Sequence, residues 1–108
     1  MLRIKGKYAS STENRRLVWE SIIWPLVLEK NISYFDIEEY HVVRNHFWER
    51  EGISQSKVAG GFVSLIMKGL LVKDKDNDVY SVHYRIIPYM RKKIKLEYGQ
   101  AVREIITK

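Results

Sequence analysis

Residues 53–72 read I-S-Q-S-K-V-A-G-G-F-V-S-L-I-M-K-G-L-L-V, and how this stretch divides decides the fold. Ser54 is a residue type that caps a helix, and Gly69 can end one in the left-handed conformation. At about 100° per residue, Val58, Ala59, Phe62, Leu65 and Ile66 fall on one broad arc. Ser56, Lys57, Gly60, Gly61, Ser64 and Lys68 fall on the other. The first arc is the composition of a core. The second is polar or small throughout, carries two positive charges and contains no acid. Two glycines inside a helix cost about 1 kcal/mol each relative to alanine, so something compensates them. Either they let the backbone come close to a ligand, or they let it pack closely on a neighbouring helix.

Before this helix, Asp36 predicts the cap of another that runs to about Glu51, with Glu39 three residues on as the capping-box partner. Ile37, Tyr40, Val43, Phe47 and Trp48 lie on one side of it, and Gly52 ends it. Ile32 to Phe35 reads as a short edge strand. The first helix is expected to start near Thr12 as cap, with Glu13 in its first turn. Val18, Ile22 and Leu26 share a face with Trp19, Ile23 and Val27 beside them, the 3.6-residue period of a buried helix. Pro25 kinks this helix or begins its last segment, and Asn31 stops it. On the far side, Leu70 to Lys73 and Val79 to His83 predict two strands around the polar turn Asp74 to Asp78. A final helix is expected from Ile87 or Pro88 to Ile106, with one apolar stripe of Ile87, Met90, Ile94, Tyr98, Ala101 and Ile105.

The order helix, short strand, helix, tight turn, helix, hairpin, helix predicts an α+β, mostly helical fold. The pattern I-S-Q-S-K-V, then Leu65, K-G-L-L-V and Y-S-V, resembles the recognition helix and wing of MarR- and PadR-like regulators in the winged-helix superfamily. The resemblance covers roughly residues 13 to 84. It implies a winged helix-turn-helix with a C-terminal helix: a basic N-terminal arm over 1–11, a winged-helix domain over 12–86, and over 87–108 a helix that serves as dimerisation element of the same domain.

Composition points the same way. The 108 residues make one domain, and a net charge of +6 with a pI near 9.6 favours polyanionic partners. No cysteine is present, which excludes a disulfide scaffold and a thiolate metal site. No apolar run approaches the roughly 18 to 20 residues of a membrane span. The segment from Met1 to Thr12 is basic and lacks the apolar stretch of a signal peptide, so the expected place is the cytoplasm, associated with the nucleoid. Few glutamines and many Lys, Ile, Glu and Tyr are the usage of an archaeal or thermophilic source. No phosphate-binding loop, G-x-S-x-G elbow or cysteine nucleophile occurs, and no enzyme and no cofactor are expected. His41 and His46 splay apart on a helix, and no acid or thiol joins them or His83 in a metal set. Trp19, Trp24 and Trp48 are expected in a core or interface.

On the winged-helix resemblance, double-stranded DNA is the expected partner. The helix over 54–68 enters the major groove with Ser54, Gln55, Ser56, Lys57, Gly60, Gly61, Ser64 and Lys68 towards it. Arg15 and Arg16 add charge at the start of the first helix, and Arg3, Lys5 and Lys7 on the arm. In the wing, Lys73 and Lys75 either touch phosphate or belong to a solvated turn, since Asp74, Asp76 and Asp78 dilute them. Arg91, Lys92, Lys93 and Lys95 read as a solvated face. Met90, Ile94, Tyr98, Ala101 and Ile105 are expected at a homodimer interface, the alternative being that they pack on the first helix of their own chain. The expected role is a dimeric, site-specific, repressor-type transcriptional regulator. A plasmid or virus protein that marks a partition site or coats DNA, and a winged-helix adaptor that binds only protein, are the alternatives.

Overall fold

The computed structural model describes residues 12–52 and 55–106. The basic arm and Ser54 lie outside the described residues, as do the side chains of Trp48 and Gln55. Helix α1 covers 12–30 in three registers: α-helical over 12–18, π-helical over Trp19–Ile23, and α-helical again over Trp24–Lys30. The widened turn lies directly before Pro25, where the ring would clash with the carbonyl four residues back and no N–H exists to donate. The expected kink is therefore a π turn. Thr12, expected as the cap, is already helical. Asn31 closes α1 at φ 58°, its N–H donating to the Val27 carbonyl at 2.9 Å.

Strand β1 (Tyr34–Asp36) leads into α2 (Ile37–Glu51). The capping box forms in both directions: Glu39 N–H donates to Asp36 Oδ1 at 2.8 Å, and Asp36 N–H to Glu39 Oε1 at 2.9 Å. Gly52 follows α2 at φ 67°. Helix α3 (Gln55–Lys68) ends in a Schellman turn, with Gly69 at φ 86°, Gly69 N–H on the Ile66 carbonyl and Leu70 N–H on the Leu65 carbonyl. Strands β2 (Leu71–Lys73) and β3 (Val79–Val82) complete an antiparallel sheet in the order β1-β3-β2. The registers Phe35↔Tyr80 and Leu71↔Val82 put those four side chains on the buried face, and Tyr34, Ser81 and Val72 on the other.

The C-terminal part differs from the expected single helix. A 3-10 turn (Tyr84–Ile86) runs into α4 (Ile87–Arg91), which closes in a second Schellman turn with Lys93 at φ 56°. Lys93 N–H donates to the Met90 carbonyl and Ile94 N–H to the Tyr89 carbonyl, both at 3.0 Å. Residues 94–97 are non-helical, and α5 (Tyr98–Ile106) follows. Two tryptophans account for the break. Trp24 Nε1 donates to the Ile94 carbonyl at 3.1 Å, and Trp19 Nε1 to the Leu96 carbonyl at 3.0 Å. Both indoles are buried and stacked, with centroids 5.3 Å apart, and a buried indole N–H left unpaired is costly. A continuous helix would spend those carbonyls on itself. Glu20 Oε2 then accepts the Tyr98 N–H at 2.8 Å, and Gln100 Oε1 the Glu97 N–H, at the start of α5.

The core is a layer between α1 and its neighbours. Val18, Trp19, Ile22, Ile23 and Val27 of α1, Val58 and Leu65 of α3, and Phe35, Leu70, Leu71 and Ile86 are fully buried. An aromatic group joins sheet and helices: Phe62 of α3 stacks on Tyr40 of α2 at 4.0 Å and meets Tyr80 of β3 edge-on at 5.1 Å.

The outer edge of β1 is closed by side chains. Lys30 Nζ donates to the Tyr34 carbonyl at 3.1 Å, and Glu39 holds the Asp36 N–H, while Lys30 and Glu39 pair with each other at 2.6 Å. This occupies groups with which another strand would pair. The Lys30 ammonium, and after it the Asp36 N–H, hold the Glu39 carboxyl below its ordinary range. Its stabilisation is therefore present above about pH 4.5 and is lost as pH falls through the lowered value. Lys30→Ala should lower stability by about 1 kcal/mol at pH 7, and urea denaturation of variant and parent at pH 7 and pH 3 should show the difference shrinking in acid.

Candidate nucleic-acid interface

Helix α3 is held from behind by Val58, Phe62 and Leu65, all buried. Its open side carries Ser56, Lys57, Ala59, Gly60, Val63, Met67 and Lys68, with Ser64 half-buried beside them. Two positions differ from the helical-wheel reading. Ala59 is exposed rather than core, being a full step past Val58 on the side away from α1. Gly61 is buried rather than outward. A Cβ there would sit 2.5 Å from the Asn14 carbonyl oxygen and 2.7 Å from Val18 Cγ2. Gly61 is therefore the contact where α3 crosses α1, one of the two roles that the sequence leaves open for these glycines. Gly60 makes no such contact: it is exposed, and an added Cβ would meet nothing within 4 Å. The wheel also does not single out Val63 and Met67, which stand 53% and 80% exposed.

The other expected cations divide. Arg15 is half-buried, its Nε donates to the Tyr98 hydroxyl at 2.6 Å and its guanidinium lies over the Tyr98 ring. It ties α1 to α5. Arg16 is exposed at a groove of about 340 Å³ shared with Glu20, Glu97, Gln100 and Arg103, so acids share its surroundings. In the hairpin, Lys73 pairs with Asp78 at 3.7 Å and lies 6.0 Å from the Tyr80 ring centre. Asp74 accepts the Asp76 N–H at 3.2 Å and the Asn77 amide at 3.1 Å, and these bonds, the amide's first, hold its carboxyl below the usual range. The tip is a self-contained Asx turn, and Lys75 is its exposed cation. Arg91, Lys92, Lys93 and Lys95 are all exposed, in line with a solvated face.

The expected dimer residues are mostly core. Met90, Tyr98 and Ala101 are buried within their own chain and Ile105 packs against the core; Ile94 remains 42% exposed. The stripe presupposes one continuous helix, and the break at 92–97 turns its two halves onto the molecule's own core. Among the described residues there is no group of three or more histidines and carboxylates placed to hold a metal ion, and no helix is long and apolar enough to cross a membrane. His83 serves as a cap, its Nδ1 accepting the Arg85 N–H at 3.1 Å.

No family model, curated protein or solved structure matches the chain.

The two glycines should respond oppositely to the same change. Gly60→Ala should stabilise the fold by about 1 kcal/mol through helix propensity. Gly61→Ala should destabilise it by about 1–3 kcal/mol, because its new Cβ meets backbone that cannot rotate away. Urea unfolding midpoints of the two variants give the comparison.

Proposed function

We propose that the chain is a winged-helix protein that binds double-stranded DNA, with α3 as the helix that enters the major groove. One observation carries this reading: the open face of α3 holds Ser56, Lys57, Gly60, Ser64 and Lys68 without a single acid. The helix stands on a rigid support of α1, α2 and a sheet ordered β1-β3-β2, an arrangement that fits the winged-helix resemblance. At 14 residues, α3 is about 21 Å long against a groove about 12 Å wide. Its hydroxyls and cations are the groups that position a protein on phosphate and base edges. The hairpin has the place of a wing, and its internal ion pair and Asx turn leave it a small share of the attraction.

In this reading the protein is a site-specific, repressor-type regulator acting on the nucleoid in the cytoplasm. It works as a homodimer that offers two copies of α3 to half-sites about one helical turn apart. Because Met90, Tyr98 and Ala101 are committed to the core, the dimer would use apolar positions left open near the C-terminus, Ile94 at 42% and Ile106 at 66% exposure. A partition-type or coating protein would use the same α3 face. A protein-binding adaptor is the second reading, and the exposed Val63 and Met67 favour it over a purely polar surface.

Fluorescence anisotropy against duplex DNA over a range of salt separates these. Lys57→Glu with Lys68→Glu should lower the slope of log K against log salt by about two, one for each phosphate that is no longer neutralised, while Lys73→Glu changes it little. Footprints at a defined palindrome mark a regulator, and spreading protection marks a coating protein. Duplex affinity that does not depend on salt would overturn the DNA reading.

A further inference from the structure

Resting on that reading, we infer that α3 reads thymine through its methyl group, with Val63 and Met67 as the contacts. These two side chains stand four residues apart and share one side of the helix. Met67 is the most exposed large apolar side chain among the described residues, at 80%, and Val63 is 53% exposed. Neither holds the fold together, since the buried side of α3 is already made by Val58, Phe62 and Leu65. Ser56, Gly60, Val63 and Met67 fall within about 60° of one another on the wheel. Lys57, Ser64 and Lys68 flank them on one side. The open face is therefore an apolar centre line beside a cationic edge.

The major groove has the matching pattern. Its rim is phosphate, and the thymine C5-methyl is the apolar group that the bases project into it. Gly60 lets the helix backbone sink towards the bases, because no side chain stands between it and the open space in front. Valine is stiff and methionine adaptable, so the pair supplies one fixed and one adjustable methyl contact. A second copy of the chain fits the surface less well. A two-fold contact through this face would be self-complementary and would bring Lys57 and Lys68 towards their own copies.

The test compares alternating poly(dA-dT) with poly(dA-dU) duplexes of equal length, which differ at the groove floor in that methyl. The parent protein should bind the uracil polymer about fourfold more weakly for each methyl contacted. Val63→Ala with Met67→Ala should bind both polymers alike and keep the parent's salt slope, since neither side chain is charged. Equal parent affinities for the two polymers, with a normal salt slope, would overturn the inference and leave DNA binding standing. Absence of salt-dependent binding to either polymer would overturn both. Sedimentation showing that the double variant turns a dimer into a monomer would assign Val63 and Met67 to a second copy instead.

Discussion

Helix α3 can lie against α1 only because residue 61 has no side chain. The space that a Cβ would need is filled by the Asn14 carbonyl and the Val18 side chain, so the two backbones are in direct contact. This contact sets which way α3 is rolled. With Gly61 turned to α1, Phe62 reaches the aromatic group of Tyr40 and Tyr80, and Leu65 goes to the core. Gly60, Val63 and Met67 are then left facing outward. The same glycine that weakens the helix intrinsically thus decides which side chains the helix turns outward.

A similar trade shapes the C-terminal part. The buried, stacked pair Trp19 and Trp24 needs two acceptors, and the chain supplies them from residues 94 and 96, at least seventy positions on. Meeting that need interrupts a segment whose apolar spacing would otherwise continue as one helix. It also brings Tyr98 over Arg15 and places Ala101 in the core. Side chains with the spacing of an interface between two molecules become the closure of one. Arg15, near the start of α1, is held by Tyr98 in the same step.

Much of the frame was legible because its signals are local. The reciprocal bonds of Asp36 and Glu39, the left-handed stops at Asn31, Gly52 and Gly69, and the helical break before Pro25 all follow from residue types acting on neighbours a few positions away. The polar, acid-free face of α3 was legible for the same reason. What could not be read depended on distant partners. Lysine has no preference for the left-handed conformation, so nothing at Lys93 announced a turn; the reason lies in two indoles on another helix. Gly61 sits near the edge of the wheel's arcs, and only the position of Asn14 resolves it. The exposure of Val63 and Met67 runs against the expectation that apolar residues in a helix lie inside, and it follows from how α1 fixes the roll of α3.

These placements also decide how charge is arranged over the surface. The chain carries a net +6, yet Lys73 pairs with Asp78 in the hairpin and Arg16 shares a groove with Glu20 and Glu97. Wherever cation and acid lie within a few ångströms, the field they send into solvent largely cancels, and a screening length of about 8 Å at physiological salt removes most of the remainder. Within α3 itself the exposed residues include Lys57 and Lys68 and no acid. A helix whose outward roll is fixed by backbone contact, and whose flank carries charge of one sign along its length, can present that charge at one defined distance and angle. In the proposed DNA complex the apolar centre line would meet the groove floor, so that affinity from Lys57 and Lys68 and discrimination from Val63 and Met67 would arise from neighbouring strips of one surface.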